Sequence, residues 1–322
     1  MEIRTRGERK GRDLSNTVAA GYSTDSPVPK KLADPLSGRP TNISSIAGRI
    51  AFYAAGSSSP DNNPLLLIHS VNAAASAYEV KPLFDAYSRK RAVYAFDLPG
   101  FGQSDRGDRK YSVRSMTDAV HAVASELLRL HRMPVDVIAL SLSAEFVARA
   151  AAEKPEMFRK LAFVSPTGFE GKARDKAGGT RAKPWLRGFL ELPWGPALFS
   201  LSTTKPVIRR FLERTWGSKE IDKGLLDYNY RSAHQPGARH APWYFVSGYM
   251  FGKDILNIYQ SLPHEIWLTH GTRGDFVDYH HVKRVEGKPN WSIEVFDTGA
   301  FPHFERLDAF SDSYERFLNG HT

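Results

Sequence analysis

The apolar run Val135-Asp-Val-Ile-Ala-Leu140 leads straight into Ser141-Leu142-Ser143-Ala144-Glu145 and then into the helical stretch Phe146–Glu153. A serine at a sharp strand–turn–helix junction has its Oγ pushed out of the sheet. The next amide then lies at a helix N-terminus, where it suits an oxyanion. The alternative reading is an ordinary helix N-cap serine. Near the C-terminus, Ser292–Asp297 is followed by Thr298-Gly-Ala-Phe-Pro-His303-Phe-Glu-Arg306, a histidine in the loop after a last strand. Between the two, Glu265–His270 runs into Gly271-Thr-Arg-Gly-Asp275-Phe-Val-Asp278, which offers two carboxylates. A serine, a carboxylate able to orient an imidazole and the imidazole itself are the groups of nucleophilic acyl transfer.

Those three groups need strand ends to bring them together, and the chain supplies the strands. Pro64–His69, Ala92–Asp97, Val135–Leu140, Lys160–Ser165, Glu265–His270 and Ser292–Asp297 are short apolar runs, each ending in or just before a polar residue. Such runs indicate strands buried on both faces. Helical stretches lie between them, such as Val113–His131 with Met116, Val120, Val123, Ala124, Leu127 and Leu128 on one side. The expected class is α/β: a mostly parallel central sheet flanked by helices, with chemistry just beyond the carboxyl ends of the strands. Ile43–Ala54 suggests a hairpin turning at Ala47-Gly48.

One interval breaks the rhythm. From Gly168 to Ser261 no clean strand appears, while Trp185–Leu192, Pro206–Trp216 and Trp243–Tyr259 carry helical or irregular aromatic patterns. This predicts a largely helical cap over residues 168–261, set into a core of residues 41–167 and 262–322. Residues 1–40, rich in Gly, Ser, Pro, Arg and Lys, are expected to form a loose basic arm. In the cap, Trp185, Phe189, Trp194, Phe199, Trp243, Tyr244, Phe245, Tyr249 and Phe251 are candidates for an apolar acyl pocket or for packing the cap onto the core.

Composition narrows the classes. With no cysteine in 322 residues, disulfide frameworks, thiolate catalysis and cysteine-ligated metals are excluded, which fits a reducing compartment and a cytoplasmic location. No apolar run approaches the ~18 residues that a membrane-spanning helix needs, and the N-terminus has no apolar leader segment. The net charge of +9 includes an excess between Gly168 and His240, where 14 Lys/Arg face 7 Asp/Glu, but no nucleic-acid-binding motif accompanies it. A basic solvated surface is expected, and no nucleic-acid partner. Gly100-Phe-Gly102 lacks the third glycine of a dinucleotide loop, and His270, His280 and His281 lack metal-ligand spacing.

Taken together, residues 43–318 resemble the α/β-hydrolase fold superfamily. The further matches are Leu67-Ile-His-Ser-Val71, Asp97-Leu-Pro-Gly-Phe-Gly-Gln-Ser-Asp105 and Phe301-Pro-His-Phe-Glu-Arg306. The resemblance implies Ser141 as nucleophile, His303 as general base and then acid, and Asp275 as the orienting carboxylate, with Asp278 the alternative. It further implies an oxyanion hole from the amides of Leu142 and Val71, and no metal or organic cofactor. The implied reaction is cleavage of a carboxylic ester or related acyl compound with a sizeable apolar part, through an acyl-enzyme; a C–C bond hydrolase could use the same triad. Three departures stand out: Ser70 replaces the glycine of the family's His-Gly, and Ala139 and Ser143 replace both elbow glycines. A ligand- or partner-binding protein that kept the fold and lost turnover is the competing reading.

Overall fold

The computed structural model describes residues 31–46, 48–59, 62–171 and 179–320. Eight strands form one sheet: β1 (Arg39–Ser45), β2 (Gly48–Ala55), β3 (Leu65–Ile68), β4 (Val93–Phe96), β5 (Val135–Leu140), β6 (Phe158–Val164), β7 (Glu265–Gly271) and β8 (Trp291–Phe296), in the order β1-β2-β4-β3-β5-β6-β7-β8. The hairpin β1–β2 and the β2–β4 pair are antiparallel, and all later pairs are parallel. The register pairs Ser45 with Gly48. Of the two residues proposed for the turn, Ala47 lies outside the described residues and Gly48 already belongs to β2.

Helices cover both faces. They are α1 (Lys81–Tyr87), α2 (Val113–His131), α3 (Ser143–Glu153), α4 (Pro184–Glu191), α5 (Gly195–Ser202), α6 (Lys205–Trp216), α7 (Lys223–Ala233), α8 (His240–Val246), α9 (Ile255–Ser261), α10 (Pro302–Glu305) and α11 (Leu307–Leu318). Strand β5 explains why both layers form. Val135, Val137 and Ala139 pack into the core that holds α2, α3 and α9, while Ile138 and Leu140 pack into the one that holds α1 and α11. Alternate side chains point to opposite faces, so a strand apolar throughout must be covered twice. The exception, Asp136, is fully buried and is met by Arg91 at 2.5 Å and Arg159 at 2.6 Å. Helix α2 starts where Ser112 and Ser115 cap each other reciprocally.

Helices α4 to α9 are all inserted between β6 and β7. The helical or irregular stretch Trp243–Tyr259 spans the end of α8, a loop and the start of α9, and Gly248 takes a positive φ of 80° just after the first helix ends. Thr180 and Gly252 form an isolated antiparallel bridge, flanked by Arg181 N–H to Phe251 O at 3.1 Å and Lys253 N–H to Gly179 O at 3.2 Å. The insert is thus pinched at a neck. Helix α6 seats on the loop after β8 through Trp216, whose ring meets Phe301 edge-on at 5.3 Å. A Cβ on Gly299 would collide with the Trp216 backbone, so that approach requires glycine. Of the stretch read as an arm, residues 1–30 lie outside the described residues. Its described end is packed, since Leu36 is buried in the second core and β1 starts at Arg39. No described helix is long and apolar enough to cross a membrane.

Candidate active site

Ser141 sits at the end of β5 with φ of 52°, a left-handed conformation that a non-glycine residue adopts only under constraint. The constraint is visible. Its N–H donates to Val164 O at 2.8 Å, and its carbonyl accepts from Ala144 N–H at 3.1 Å as α3 begins. The serine is therefore an elbow residue and not a helix N-cap, because helix α3 has Leu142 in the N-cap position. Neither residue that replaces an elbow glycine disturbs the turn. Ala139 is fully buried beside Ile68 in the sheet, and the buried Ser143 hydroxyl donates to the carbonyl of His69, tying α3 to the end of β3. Positive φ is confined to Arg132, Ser141 and Ser165 among described non-glycine residues, so Ser70 bears no backbone penalty either.

The turn after β3 is held by a buried carboxylate that the sequence did not announce. Glu79 accepts from the Ser70 N–H at 2.8 Å and from the Asn72 side-chain amide at 2.8 Å. Burial pushes its pKa up, opposed by His69 and by these donors. His69 Nε2 accepts from Leu98 N–H at 2.9 Å, so its Nδ1–H donates to Ser70 O at 2.6 Å. With Ser70 and Asn72 both anchored, the turn presents the Val71 amide. Neither Val71 N–H nor Leu142 N–H is taken by another described residue, and both residues line the same cavity as Ser141.

That cavity has a volume of about 420 Å³. Its floor is Val71, Ser141, Leu142 and Ser165, and its roof comes from the insert, including Ile208, Phe211, Phe245 and Phe251. Among the aromatics singled out in the insert, Phe245 and Phe251 line it, while Phe199 and Trp243 pack against each other at 5.3 Å. Trp185, Phe189 and Trp194 are exposed. One polar group in the lining is unspent. Asn229 on α7 is 1% exposed, and both its amide nitrogen and its oxygen lack a hydrogen-bond partner. Ser165, a second left-handed serine at the tip of β6, donates its hydroxyl to Ala300 O at 2.8 Å.

The three groups expected to act together are not brought together. His303 is fully buried and is not among the residues that line the cavity, with Nε2–H donating to the Glu79 carbonyl at 2.8 Å and Nδ1 unpartnered. The rings of Phe301, Phe304 and Phe310 surround it, and burial pushes its pKa down to about 4. The residues of that loop that do line the cavity are Ala300 and Phe301. Asp275 forms an ion pair with Arg214 at the surface, and Asp278 accepts from Gly171 N–H at 3.0 Å. Neither touches His303. Among the described residues, the only ionisable side chain in the cavity wall is Glu170, which accepts from Gly168 N–H at 3.0 Å. Behind the wall, Glu145 is fully buried, bonded to Thr167 at 2.5 Å and to Gly252 N–H at 3.1 Å, and desolvation raises its pKa to about 7.

The sequence matches the alpha/beta hydrolase family over residues 65–313. Solved structures of similar fold include a meta-cleavage product hydrolase from Pseudomonas fluorescens IP01, 17% identical, with a TM-score of 0.67 over 88% of this chain and 98% of that one. A 2-hydroxy-6-oxo-6-phenylhexa-2,4-dienoate hydrolase from Rhodococcus sp. strain RHA1 is 18% identical, with a TM-score of 0.67 over 88% and 100%. An epoxide hydrolase is 19% identical, with a TM-score of 0.67 over 88% and 99%. At such identities the likeness carries the fold alone. No curated protein matches the sequence.

Proposed function

This chain belongs to the alpha/beta hydrolase family, and from that premise we propose that its Ser141 cavity binds a carboxylic ester or related acyl compound with a sizeable apolar part, without fast triad turnover. The ligand's carbonyl oxygen takes the unspent amides of Val71 and Leu142, and its carbon lies over Ser141 Oγ. Two fixed donors aimed at one oxygen favour a carbonyl that is gaining negative charge. The apolar remainder fits the roof of Ile208, Phe211, Phe245 and Phe251.

One observation carries this reading: Ala300, not a base, faces the cavity from the loop after β8, while the His303 Nε2–H is committed to the Glu79 carbonyl. Serine attack needs a group to accept the hydroxyl proton, and such help contributes about 10²–10⁴-fold. Triad hydrolysis is the second reading, supported by the family and by the left-handed Ser141. In it, Ser141 Oγ attacks the carbonyl carbon, and His303 takes the proton and returns it to the leaving alcohol. Water then cleaves the acyl-enzyme, with Asp275 orienting the imidazole. That route requires His303 to leave the Glu79 carbonyl and three phenylalanine rings, and Asp275 to leave Arg214. The meta-cleavage product hydrolases and the epoxide hydrolase share the fold, so the fold does not choose the bond cleaved.

A fluorophosphonate separates the readings, because its phosphorus needs the activated serine and the oxyanion donors together. Intact-mass spectrometry is expected to show slow adduct formation at Ser141 with a rate that His303→Gln leaves unchanged. Rapid stoichiometric labelling that His303→Gln slows by orders of magnitude would establish triad catalysis instead.

A further inference from the structure

Helix α4 buries Leu190 against Phe199 and Trp243, yet it also buries a charged side chain and exposes two aromatic ones. Its Arg187 is 5% exposed, with the guanidinium 4.4 Å over the Tyr244 ring and paired to Glu191, while Trp185 is 72% and Phe189 47% exposed. Trp185 and Phe189 are four residues apart and so share one face of the helix. The next two helices repeat the arrangement. Leu198 and Leu201 of α5 are 38% and 68% exposed, and Val207 and Phe211 of α6 are 45% and 38%. Trp194, between α4 and α5, is 50% exposed and contacts Phe189 at 5.7 Å. Single exposed apolar residues are ordinary, but three consecutive helices that each turn an apolar pair outward point to a partner that is itself apolar.

The charges around this face choose the partner. Residues 181–217 carry seven basic residues, Arg181, Lys183, Arg187, Lys205, Arg209, Arg210 and Arg214, against Glu191 and Glu213. Lys183, Lys205, Arg209, Arg210 and Arg214 are exposed; Lys205 is paired to Asp227 and Arg214 to Asp275, which leaves Lys183, Arg209 and Arg210 without an ion pair among the described residues. A second copy of the chain would bring the same positive charge against itself, and residues 1–30 hold six basic residues, Arg4, Arg6, Arg9, Lys10, Arg12 and Lys30, against Glu2, Glu8, Asp13 and Asp25. Both are disfavoured by like charge. Tryptophan with lysine and arginine at the rim of an apolar helix face matches the headgroup region of an anionic bilayer, where long cationic side chains keep their stems in the apolar layer and their charges in water. The cavity opens on the same side: Val207, Phe211, Val246 and Phe276 are between 38% and 47% exposed and also line it.

We propose that the outer face of α4, α5 and α6 is a docking surface for anionic lipid bilayers, from which an apolar ligand enters the cavity without crossing water. The docking stands on this face alone and is independent of any chemistry at Ser141. The full chain is expected to co-sediment with phosphatidylcholine vesicles containing phosphatidylserine, and less with phosphatidylcholine alone. Trp185→Ser with Phe189→Ser should lower the bound fraction on the order of tenfold, since these side chains supply the apolar insertion. Arg209→Glu with Arg210→Glu should abolish the preference for phosphatidylserine, and about 0.5 M salt should weaken it in the native chain. Circular dichroism checks that each variant is folded, which surface positions permit. A full chain that stays in the supernatant with both vesicle types overturns the proposal. So does a dimer in size-exclusion chromatography that Trp185→Ser with Phe189→Ser dissolves, if vesicle binding is absent.

Discussion

His303 and Glu79 form a closed pair: the imidazole Nε2–H donates to the Glu79 carbonyl at 2.8 Å, while the Glu79 carboxylate holds the turn that carries Val71. The histidine thus braces the segment that presents an oxyanion donor. Among the described residues no hydrogen bond joins it to Ser141.

The pair has a pH signature. Burial lowers the His303 pKa from 6.5 to about 4, so the folded state binds fewer protons than the unfolded one between these values. The stability this provides is complete above pH 6.5, is lost as the pH falls toward 4, and is on the order of 3 kcal/mol. Glu145 works the other way: its pKa is raised to about 7, so it stabilises at low pH and loses that effect as the pH rises. The informative measurement is therefore a difference. Between pH 6.5 and 4 the melting temperature of the native chain should fall further than that of His303→Gln, whose amide can still donate to Glu79. Parallel curves would refute the buried neutral imidazole.

Ala300 lines the same cavity as Ser141, so Ala300→His should place a base where the native chain has a methyl group. Fluorophosphonate labelling of Ser141 should accelerate by about 10²–10⁴-fold, the usual yield of general-base help. Asp275→Asn in the native chain should leave the labelling rate unchanged, because its carboxylate is spent on Arg214. A folded Ala300→His variant that labels no faster would show that this wall is not within reach of the serine.

Asn229 makes a prediction with two opposed readouts. An amide buried without partners costs about 1–3 kcal/mol, so Asn229→Leu should raise the melting temperature of the empty protein. The same change should reduce discrimination between an alkyl trifluoromethyl ketone bearing a hydroxyl group and the plain alkyl compound, measured by thermal shift. A lowered melting temperature with unchanged discrimination would mean that the amide packs instead of recognising a ligand.

The sheet was readable because each strand run is a local fact. Apart from Asp136, Val135–Leu140 is apolar on both sides of its pleat, and a covered central strand satisfies that. The elbow at Ser141 was readable because a strand ran without pause into a helix. The histidine loop was not. Ala300 and His303 are three residues apart, and α10 begins between them at Pro302, so which one faces the cavity depends on how the loop turns under Phe310. Sequence spacing does not encode that turn. The same holds for Asp275: its neighbour Arg214 comes from the insert, and only the folded chain brings them together. Glu79 and Asn229 matter through burial, for which a lone acidic or amide residue gives no sequence signal.

The neck at Thr180 and Gly252 has a consequence beyond shape. The chain from α4 to α8 departs and returns at a single antiparallel bridge, so its two ends are one strand spacing apart. A short turn could join them without changing any strand register. Replacing the roof would therefore require changes at only two neighbouring points of the chain, which would leave Ser141 and the amides of Val71 and Leu142 in place.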